Sequence, residues 1–253
     1  MSQRWSLLLV FALAGCRTAG PSARAPVSVP PPPPAAATAP AGAPFRAPEA
    51  IRWVRDSAEH RALFLQIYRA ATAHVEREAA GRAAGTWAVI LDADETVIDN
   101  SLYQLERARL GLGFDRMSWH AWTARREAVP LPGARSFLAR VRALGGKVAI
   151  VTNRAQSECP DTVAVFRAHD LAYDAMLCKP DEGPSDKGPR FVAVALGETS
   201  AGVEPLEILA FLGDNIQDFP LQSQALREKD DAAFAEFGGR YFVLPNPMYG
   251  SWN

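Results

Sequence analysis

Two aspartates, Asp92 and Asp94, stand two residues apart at the end of an apolar run, in Val-Ile-Leu-Asp-Ala-Asp-Glu-Thr. Carboxylates with this spacing on a segment that leaves a strand can converge on one cation and one phosphoryl group. One carboxylate can attack phosphorus, and the other, when protonated, can donate a proton to the leaving oxygen. A calcium loop would need glycine where Val97 stands, so we reject that alternative. A polar strand-to-loop junction without chemistry remains as the other alternative.

Polar residues also follow three later apolar runs. Thr152 and Asn153 offer a hydroxyl and an amide to phosphate oxygens, although Thr-Asn pairs also cap helices. Lys187 stands at a predicted helix start and can neutralise phosphate charge, with a solvated lysine as the alternative. Asp214 and Asp218 add carboxylate oxygens, which are the ligands that Mg²⁺ prefers; alternatively they cap a helix and occupy its first turn.

Alternating strands and helices are predicted to position these residues. Five apolar runs are read as buried strands: Trp87–Leu91, Lys147–Val151, Asp174–Leu177, Ile208–Leu212 and Arg240–Leu244. Helices are predicted over residues 49–80, 103–126, 132–144, 160–169, 188–196 and 221–237. This alternation indicates a parallel sheet with both faces covered. Ligands of such sheets bind beyond the carboxyl ends of the strands, so the polar residues are expected to share one crevice.

The order of these motifs resembles the haloacid dehalogenase (HAD) superfamily of phosphatases. More narrowly, four motifs resemble the outer-membrane lipoprotein e family, the class C or DDDD acid phosphatases and 5′-nucleotidases. They are Asp-Ala-Asp-Glu-Thr, Val-Thr-Asn-Arg, Gly-Asp-Asn-Ile-Gln-Asp and Leu-Pro-Asn-Pro-Met-Tyr-Gly-Ser-Trp, and the resemblance covers roughly residues 50–253. It implies an α/β fold, a three-layer Rossmann-like parallel sheet with helices on both faces. It also implies a small helical cap, formed by the helix over 51–80 and an inserted segment.

The resemblance implies a role for each matched residue. Asp92 would be the nucleophile and Asp94 the general acid/base, and the backbone carbonyl of Asp94 would also bind Mg²⁺. Asp214 would be a further direct metal ligand, whereas Asp218 would hold a metal-bound water or orient its neighbours. The predicted metal site therefore contains all four aspartates. The phosphate group would contact Thr152, Asn153 and Lys187.

Aromatic residues are candidates for contact with the rest of the substrate. Tyr249 matches a family position that is expected to stack on a nucleobase, and such stacking tolerates different bases. Tyr103 and Trp119 lie in segments that resemble the family's, although core packing is the alternative for Trp119 and the favoured role for Trp122. We therefore predict Mg²⁺-dependent hydrolysis of nucleoside 5′-monophosphates. Other small phosphomonoesters are one alternative, and a non-catalytic surface lipoprotein is another.

Residues 1–16 are predicted to be a lipoprotein signal peptide. Arg4 supplies positive charge, and Leu7–Ala14 is an apolar run too short to span a bilayer. The order Leu-Ala-Gly-Cys that ends at Cys16 resembles the bacterial lipobox, in which the cysteine is lipidated; an ordinary signal peptide is the alternative. Acyl chains on Cys16 would anchor the protein to a membrane. Because Arg17 follows in place of aspartate, we expect the outer membrane, with a periplasmic or surface-facing domain.

Residues 17–48 are rich in proline and alanine, with five consecutive prolines from Pro30 to Pro34. Such a stretch cannot bury a core and favours extended chain. After a lipid anchor it is interpreted as a disordered stalk, and a low-complexity tail without function is the alternative. The phosphatase domain is expected to occupy residues 49–253.

Charge and cysteine content narrow the possible partners. The net charge is −1 and there is no basic stripe, so a nucleic-acid polymer is not an expected partner. The four histidines show no metal-ligand spacing, which argues against zinc. Cys159 and Cys178 could form a disulfide in an oxidising compartment or remain separate buried thiols.

Overall fold

Five parallel strands form the central sheet of the computed structural model, which describes residues 44–199 and 204–252. Along the chain the strands are β1 (Trp87–Leu91), β2 (Ile98–Asp99), β3 (Val129–Pro130), β4 (Lys147–Ala155), β5 (Ala175–Lys179), β6 (Glu207–Gly213) and β7 (Tyr241–Val243). The sheet order is β5-β4-β1-β6-β7, and each neighbouring pair is parallel. The two-residue strands β2 and β3 pair antiparallel outside this sheet and were not predicted from the sequence.

Helices cover both faces of the sheet. In the described residues the α-helices are α1 (Glu49–Asp56), α2 (Ala58–Glu78), α3 (Ser101–Arg109), α4 (Arg116–Arg125), α5 (Ala134–Ala143), α6 (Cys159–Ala168) and α7 (Gly188–Leu196). Side chains alternate along β1, because successive residues of a strand point to opposite faces. Val89 and Leu91 pack in a core with residues of α2, α5 and α6. Ala88 and Ile90 pack in a second core with residues of α7. The predicted three-layer α/β fold is therefore confirmed.

The predicted helix over 49–80 is two helices. Ser57 has extended backbone and separates α1 from α2, and its hydroxyl accepts a hydrogen bond from the N–H of His60 at 3.1 Å as the N-cap of α2. Phe64, Tyr68 and Val75 of α2 are buried in the core beside β1. The longer part of this segment therefore packs on the sheet, while α1 contacts α3; the predicted cap segments stay a prediction.

Two other helix predictions need correction. The span 103–126 divides because Gly111 has φ +67°, which ends α3, and Asp115 then caps α4 by accepting the N–H of Ser118. The span 221–237 contains only short 3₁₀ segments, Gln224–Glu228 and Asp231–Phe234. Leu221 has φ +61° and is fully exposed, so the chain leaves helical geometry where the helix was expected to begin.

The predicted signal peptide, the lipidation site Cys16 and the stalk up to residue 43 lie outside the described residues. No helix among the described residues is long and apolar enough to cross a membrane. The pairing of Cys159 and Cys178, which the sequence left open, is resolved: a disulfide joins the start of α6 to β5, with Cα atoms 6.1 Å apart.

Candidate active site

The loop after β1 begins as a continuation of the sheet. The N–H of Asp92 donates to the carbonyl of Leu212 at 3.0 Å, which extends the β1–β6 pair by one bond. The loop then turns back, because the N–H groups of Val97 and Ile98 both donate to the carbonyl of Ala93 at 2.9 Å. This closed turn holds both aspartates of the motif at the carboxyl edge of the sheet, with Asp92 only 9% exposed.

The loop after β6 brings two more carboxylates to Asp92. A side-chain carbon at Gly213 would overlap the side chain of Asp218, so only glycine allows this tight approach. The carboxylate of Asp218 accepts the N–H of Asn215 at 2.9 Å, which fixes its position. One side-chain oxygen each from Asp92, Asp214 and Asp218 lies within 4.8 Å of the others. Three of the four predicted metal-site aspartates therefore converge through their side chains.

Lys187 lies within this carboxylate group and is 4% exposed. Its ammonium donates to Oδ1 of Asp92 and to Oδ1 of Asp218, each at 2.6 Å. Burial acts to lower the pKa of Lys187, but the negative charges of Asp218 and Asp92 outweigh it and raise the pKa. The lysine therefore stays charged and serves as the counter-ion of two buried aspartates.

The acidic group carries more negative charge than one lysine can balance. Burial raises the pKa of Asp92 to about 7, an effect that Lys187 opposes and Asp218 reinforces. Burial likewise holds the pKa of Asp214 well above its usual range, and the charges of Asp218 and Asp92 add to this. Hard divalent cations take carboxylate oxygens as ligands, and a cation here would relieve the repulsion. The residues present therefore fit Mg²⁺.

Thr152 and Asn153 lie near the end of β4, next to the β1 loop. Leu91 pairs with Ile150 in parallel register, so the two residues emerge beside Asp94. Thr152 is buried, and its hydroxyl accepts the N–H of Arg154 at 3.1 Å. Asn153 is exposed and lines a cavity together with Asp94. The structure thus places both predicted phosphate contacts at the same sheet edge as Lys187.

Comparison with known proteins identifies the family of this site. The sequence model of one protein family, described as HAD superfamily, subfamily IIIB (Acid phosphatase), matches residues 33–252 of this chain. The chain belongs to this acid phosphatase family. A class C acid phosphatase from Bacillus anthracis has a similar structure, with a TM-score of 0.68 and 27% identity over 80% of this chain and 84% of that chain. A tungstate-bound class C acid phosphatase structure from the same organism gives a TM-score of 0.69 and 26% identity at the same coverage.

As an acid phosphatase, the protein is a phosphoric monoester hydrolase. The family, the fold and the reaction class that the sequence predicted are confirmed. The alternative of a protein without catalytic activity is therefore contradicted, whereas the predicted lipid anchor stays a prediction. All the active-site residues described above fall within the matched range.

Two residues of the acid phosphatase site were missed by the sequence analysis, Arg154 and Asn100. Arg154 is 2% exposed, and its Nη2 and Nε donate to Oδ1 of Asp94 at 2.8 and 3.0 Å. Asn100 donates to the same oxygen at 2.8 Å and accepts from Nη2 of Arg154 at 3.0 Å. The Asp94 carboxylate is therefore fixed against Arg154 and does not join the side chains of the other three aspartates. The available signal was the arginine of Val-Thr-Asn-Arg, which directly follows two candidate residues.

The segment after β7 also contacts the acidic loops of the phosphatase. Asn246 donates from Nδ2 to Oδ2 of Asp214 at 2.8 Å. The hydroxyl of Tyr249 donates to the carboxylate of Glu95, a buried residue of the β1 loop. Tyr249, the predicted nucleobase-stacking residue, is therefore tied by its hydroxyl to the loop that carries Asp94.

A cavity of about 690 Å³ opens beside Asp94 and Asn153. Phe114, Met117 and Trp119, from α4 and the loop before it, form its apolar wall. Phe114 is 64% exposed and Met117 is 83% exposed, so this wall is open to a ligand. The cavity can therefore accept the leaving group of a phosphomonoester next to Asp94.

The remaining aromatic candidates lie behind this wall. Tyr103 is buried and packs edge-on against Trp119, with ring centroids 5.1 Å apart, while its hydroxyl bonds Ser118 at 2.9 Å. Tyr103 therefore supports Trp119 from behind and is not one of the residues that line the cavity. Trp122 is buried, as predicted, and its indole N–H donates to Asn100 at 2.9 Å.

Proposed function

We propose that this acid phosphatase hydrolyses phosphate monoesters with Mg²⁺, through a phosphorylated Asp92. The observation that carries the proposal is the position of Lys187, whose ammonium lies 2.6 Å from both Asp92 and Asp218. A carboxylate oxygen beside a fixed cation suits attack on a phosphorus atom that bears anionic oxygens. The tungstate in the Bacillus anthracis structure supports this proposal, because tungstate is a tetrahedral oxyanion like phosphate.

The two aspartates of the β1 loop take different roles in the proposed reaction. A carboxylate oxygen of Asp92 attacks phosphorus, the bond to the alcohol oxygen breaks, and protonated Asp94 donates its proton to that oxygen. Asp94 then accepts a proton from water, whose oxygen attacks phosphorus, so phosphate is released and Asp92 is regenerated. Arg154 and Asn100, both 2.8 Å from Oδ1 of Asp94, would keep its carboxylate in one orientation for both transfers.

The charge on the phosphoryl oxygens would be balanced from two sides. Lys187, Thr152 and Asn153 would donate hydrogen bonds to these oxygens, with Lys187 also supplying positive charge. Asp92, Asp214 and Asp218, together with the backbone carbonyl of Asp94, would hold Mg²⁺. The chemistry that Mg²⁺ supplies there is stabilisation of negative charge on the phosphoryl group.

Removal of divalent cations should abolish phosphate release. We expect EDTA to lower kcat by at least about 100-fold and Mg²⁺ to restore it, because the phosphoryl charge would otherwise be poorly balanced. Mg²⁺ at about 100 times its Kd should also stabilise the native protein by about 2.7 kcal/mol. The measurement is phosphate release and thermal melting over one Mg²⁺ series. Asp214→Asn should need more Mg²⁺ for both effects, whereas surface variant Asp170→Asn should match wild type; full activity in EDTA would contradict the proposal.

We propose nucleoside 5′-monophosphates as the substrates, with other small phosphomonoesters as the competing class. The apolar wall formed by Phe114, Met117 and Trp119 beside Asp94 supports this choice. A flat base can stack on an exposed aromatic ring, while the phosphate reaches the acidic group. A substrate panel with and without a base would decide between the two classes.

Trp119→Ala should raise KM for adenosine 5′-monophosphate by about 10-fold, because stacking of one base on an aromatic ring is worth about 1–3 kcal/mol. KM for glycerol phosphate, which has no ring to stack, should change less than about two-fold. Trp53→Ala, on α1 and outside the cavity lining, is the matched control and should leave both values unchanged. An equal rise in KM for the two substrates would contradict the proposal that this apolar wall binds the base of a nucleotide.

We further propose that Cys16 is lipidated and anchors the enzyme in the outer membrane. The Leu-Ala-Gly-Cys order and the proline-rich stretch up to residue 48 support this proposal. Expression of Cys16→Ser in a bacterium that lipidates such proteins should move phosphatase activity from the membrane fraction to the soluble fraction. Incorporation of labelled fatty acid into wild type but not into the variant would show the acyl chain directly, and unchanged fractionation would refute the anchor.

A further inference from the structure

The Cys159–Cys178 disulfide joins the start of α6 to the end of β5 at the border of the active-site cavity. Cys159 is the first residue of α6, and Cys178 is the residue before the end of β5. Their chain neighbours, Glu158 and Lys179, both line the cavity that contains Asp94. The disulfide therefore connects two parts of the cavity wall that come from separate stretches of chain.

The segment Thr152–Arg154 lies where the pairing of β4 with β5 is irregular. Val151 pairs with Leu177, and the pairing resumes only with Ala155 opposite Lys179. The three residues from 152 to 154 therefore stand against a single residue of β5, which is Cys178. Extra residues of this kind are left without ladder partners, so the conformation of the proposed phosphate contacts depends on other restraints.

Hydrogen bonds next to the disulfide provide some of those restraints. Ser157 donates from its N–H and its hydroxyl to Oδ1 of Asp181, at 3.0 and 2.9 Å. The ammonium of Lys179 donates to the carbonyls of Pro180 and Gly183 at 3.2 and 3.3 Å. The Ser157–Asp181 bonds are exposed to solvent, and such bonds typically contribute only about 0.5–1.5 kcal/mol each. Water can compete for these exposed hydrogen bonds, but it cannot replace the covalent bond between Cys159 and Cys178.

The loop that follows β5 leads to the second half of the proposed phosphate site. It ends at Lys187, next to α7. Arg190 of α7 donates from Nη2 to Oδ1 of Asn153 at 2.6 Å, so this loop and the irregular segment of β4 meet again at the site. The segment with Asn153 and the loop that ends at Lys187 are thus linked twice, by the disulfide and by the bond from Arg190 to Asn153. Together these two links help to set the distance between Asn153 and Lys187.

We propose that the disulfide is a redox-sensitive positioning element for phosphate binding, an inference that rests on the proposed phosphate roles of Thr152, Asn153 and Lys187. An external dithiol supplies two electrons and two protons, forms its own disulfide and leaves thiols at Cys159 and Cys178. The reduced enzyme then holds Thr152 and Asn153 less firmly and binds the phosphate group more weakly. The chemical step is retained, because the buried bonds from Arg154 to Asp94 and from Lys187 to Asp92 do not depend on the disulfide.

The test compares oxidised and dithiothreitol-reduced full chain, with alkylation and peptide mass measurement showing the state of the two cysteines. Reduction should raise KM for p-nitrophenyl phosphate and Ki for inorganic phosphate by about 10-fold while kcat changes less than about two-fold, a pattern typical of lost ground-state binding. The Cys159→Ser/Cys178→Ser variant should show the raised values without dithiothreitol and should not respond to it. Ser157→Ala should raise KM more in the reduced than in the oxidised enzyme, because the two restraints act on the same segment.

Each outcome decides the proposal. A lower melting temperature on reduction with unchanged KM and Ki would show that the bond only stabilises the fold, and would overturn it. Equal responses of wild type and the double serine variant to dithiothreitol would also overturn it, because the effect would then come from elsewhere. Loss of phosphate release in both redox states with Mg²⁺ present would refute the proposed function itself, which is a separate result from redox-independent KM in an active enzyme.

Discussion

Asp92→Asn should lower kcat for phosphate release by about 10⁴-fold or more, as removal of a nucleophile does in other covalent mechanisms. The amide lacks the anionic oxygen that forms the acyl-phosphate bond. It does keep the shape of the side chain, and Lys187 retains Asp218 as a partner at 2.6 Å. We therefore expect the variant to fold, to bind phosphate and to fail in the chemical step.

The stability of Asp92→Asn separates loss of chemistry from loss of structure. Burial already raises the pKa of Asp92 to about 7, which means that the negative charge of this carboxylate destabilises the folded protein. The substitution removes that charge. The free energy of unfolding should therefore be unchanged or higher, as measured by urea denaturation. Asp170→Asn is the matched control: Asp170 is exposed with φ +51°, a conformation that asparagine also tolerates. A native rate in an intact-mass-verified Asp92→Asn protein would refute the nucleophile assignment, because deamidation back to aspartate would be visible in the mass.

The positions of the site residues could be predicted because each one lies at or just after the end of a buried strand or, for Lys187, in the connection from a strand to the next helix. Strands buried on both faces are apolar runs with a clear end, as in Trp87–Leu91. In a parallel sheet these ends meet at one edge, so Asp92, Asp214 and Lys187 could be grouped without any coordinates. The order of the motifs then identified the family.

Side-chain partners could not be predicted in the same way. Arg154 and Asp94 are 60 residues apart in sequence and meet only because β1 and β4 are neighbours. The place of Arg154 directly after Thr152 and Asn153 puts it near the site, but does not show that it will be 2% exposed. Asn246 reaches Asp214 for a similar reason, from the segment after the edge strand β7.

Predicted helices failed at positions where the backbone leaves helical angles. Leu221 has φ +61°, a region that leucine rarely adopts, and no sequence rule would place it there. Gly111, by contrast, has φ +67° and is the kind of residue that ends a helix. The break between α3 and α4 at residues 110–115 could therefore have been predicted from the sequence, whereas the absence of an α-helix over residues 221–237 could not.

Lys187→Met should lower both activity and stability, because the lysine has two separate functions. It would supply charge to the phosphoryl oxygens, and loss of one such group typically costs about 10²–10³-fold in kcat. It also balances two aspartates that are buried with it at 2.6 Å. Removing one member of a buried ion pair typically costs about 3–5 kcal/mol, so we expect a loss of that order in the free energy of unfolding, measured without Mg²⁺.

The two functions of Lys187 separate in the double variant Asp92→Asn/Lys187→Met. If the stability loss comes from unpaired carboxylates, removal of one of them should recover part of it, and the two changes will not be additive. Lys147→Met is the control, because the Lys147 side chain is 38% exposed and its contact with Asp174 is long, at 3.5 Å, so its loss should cost no more than about 1 kcal/mol, as for exposed pairs. A Lys187→Met protein with wild-type stability would show that the buried carboxylates need no partner. A wild-type KM and kcat of the Lys187→Met protein would show that Lys187 does not contact the phosphate group.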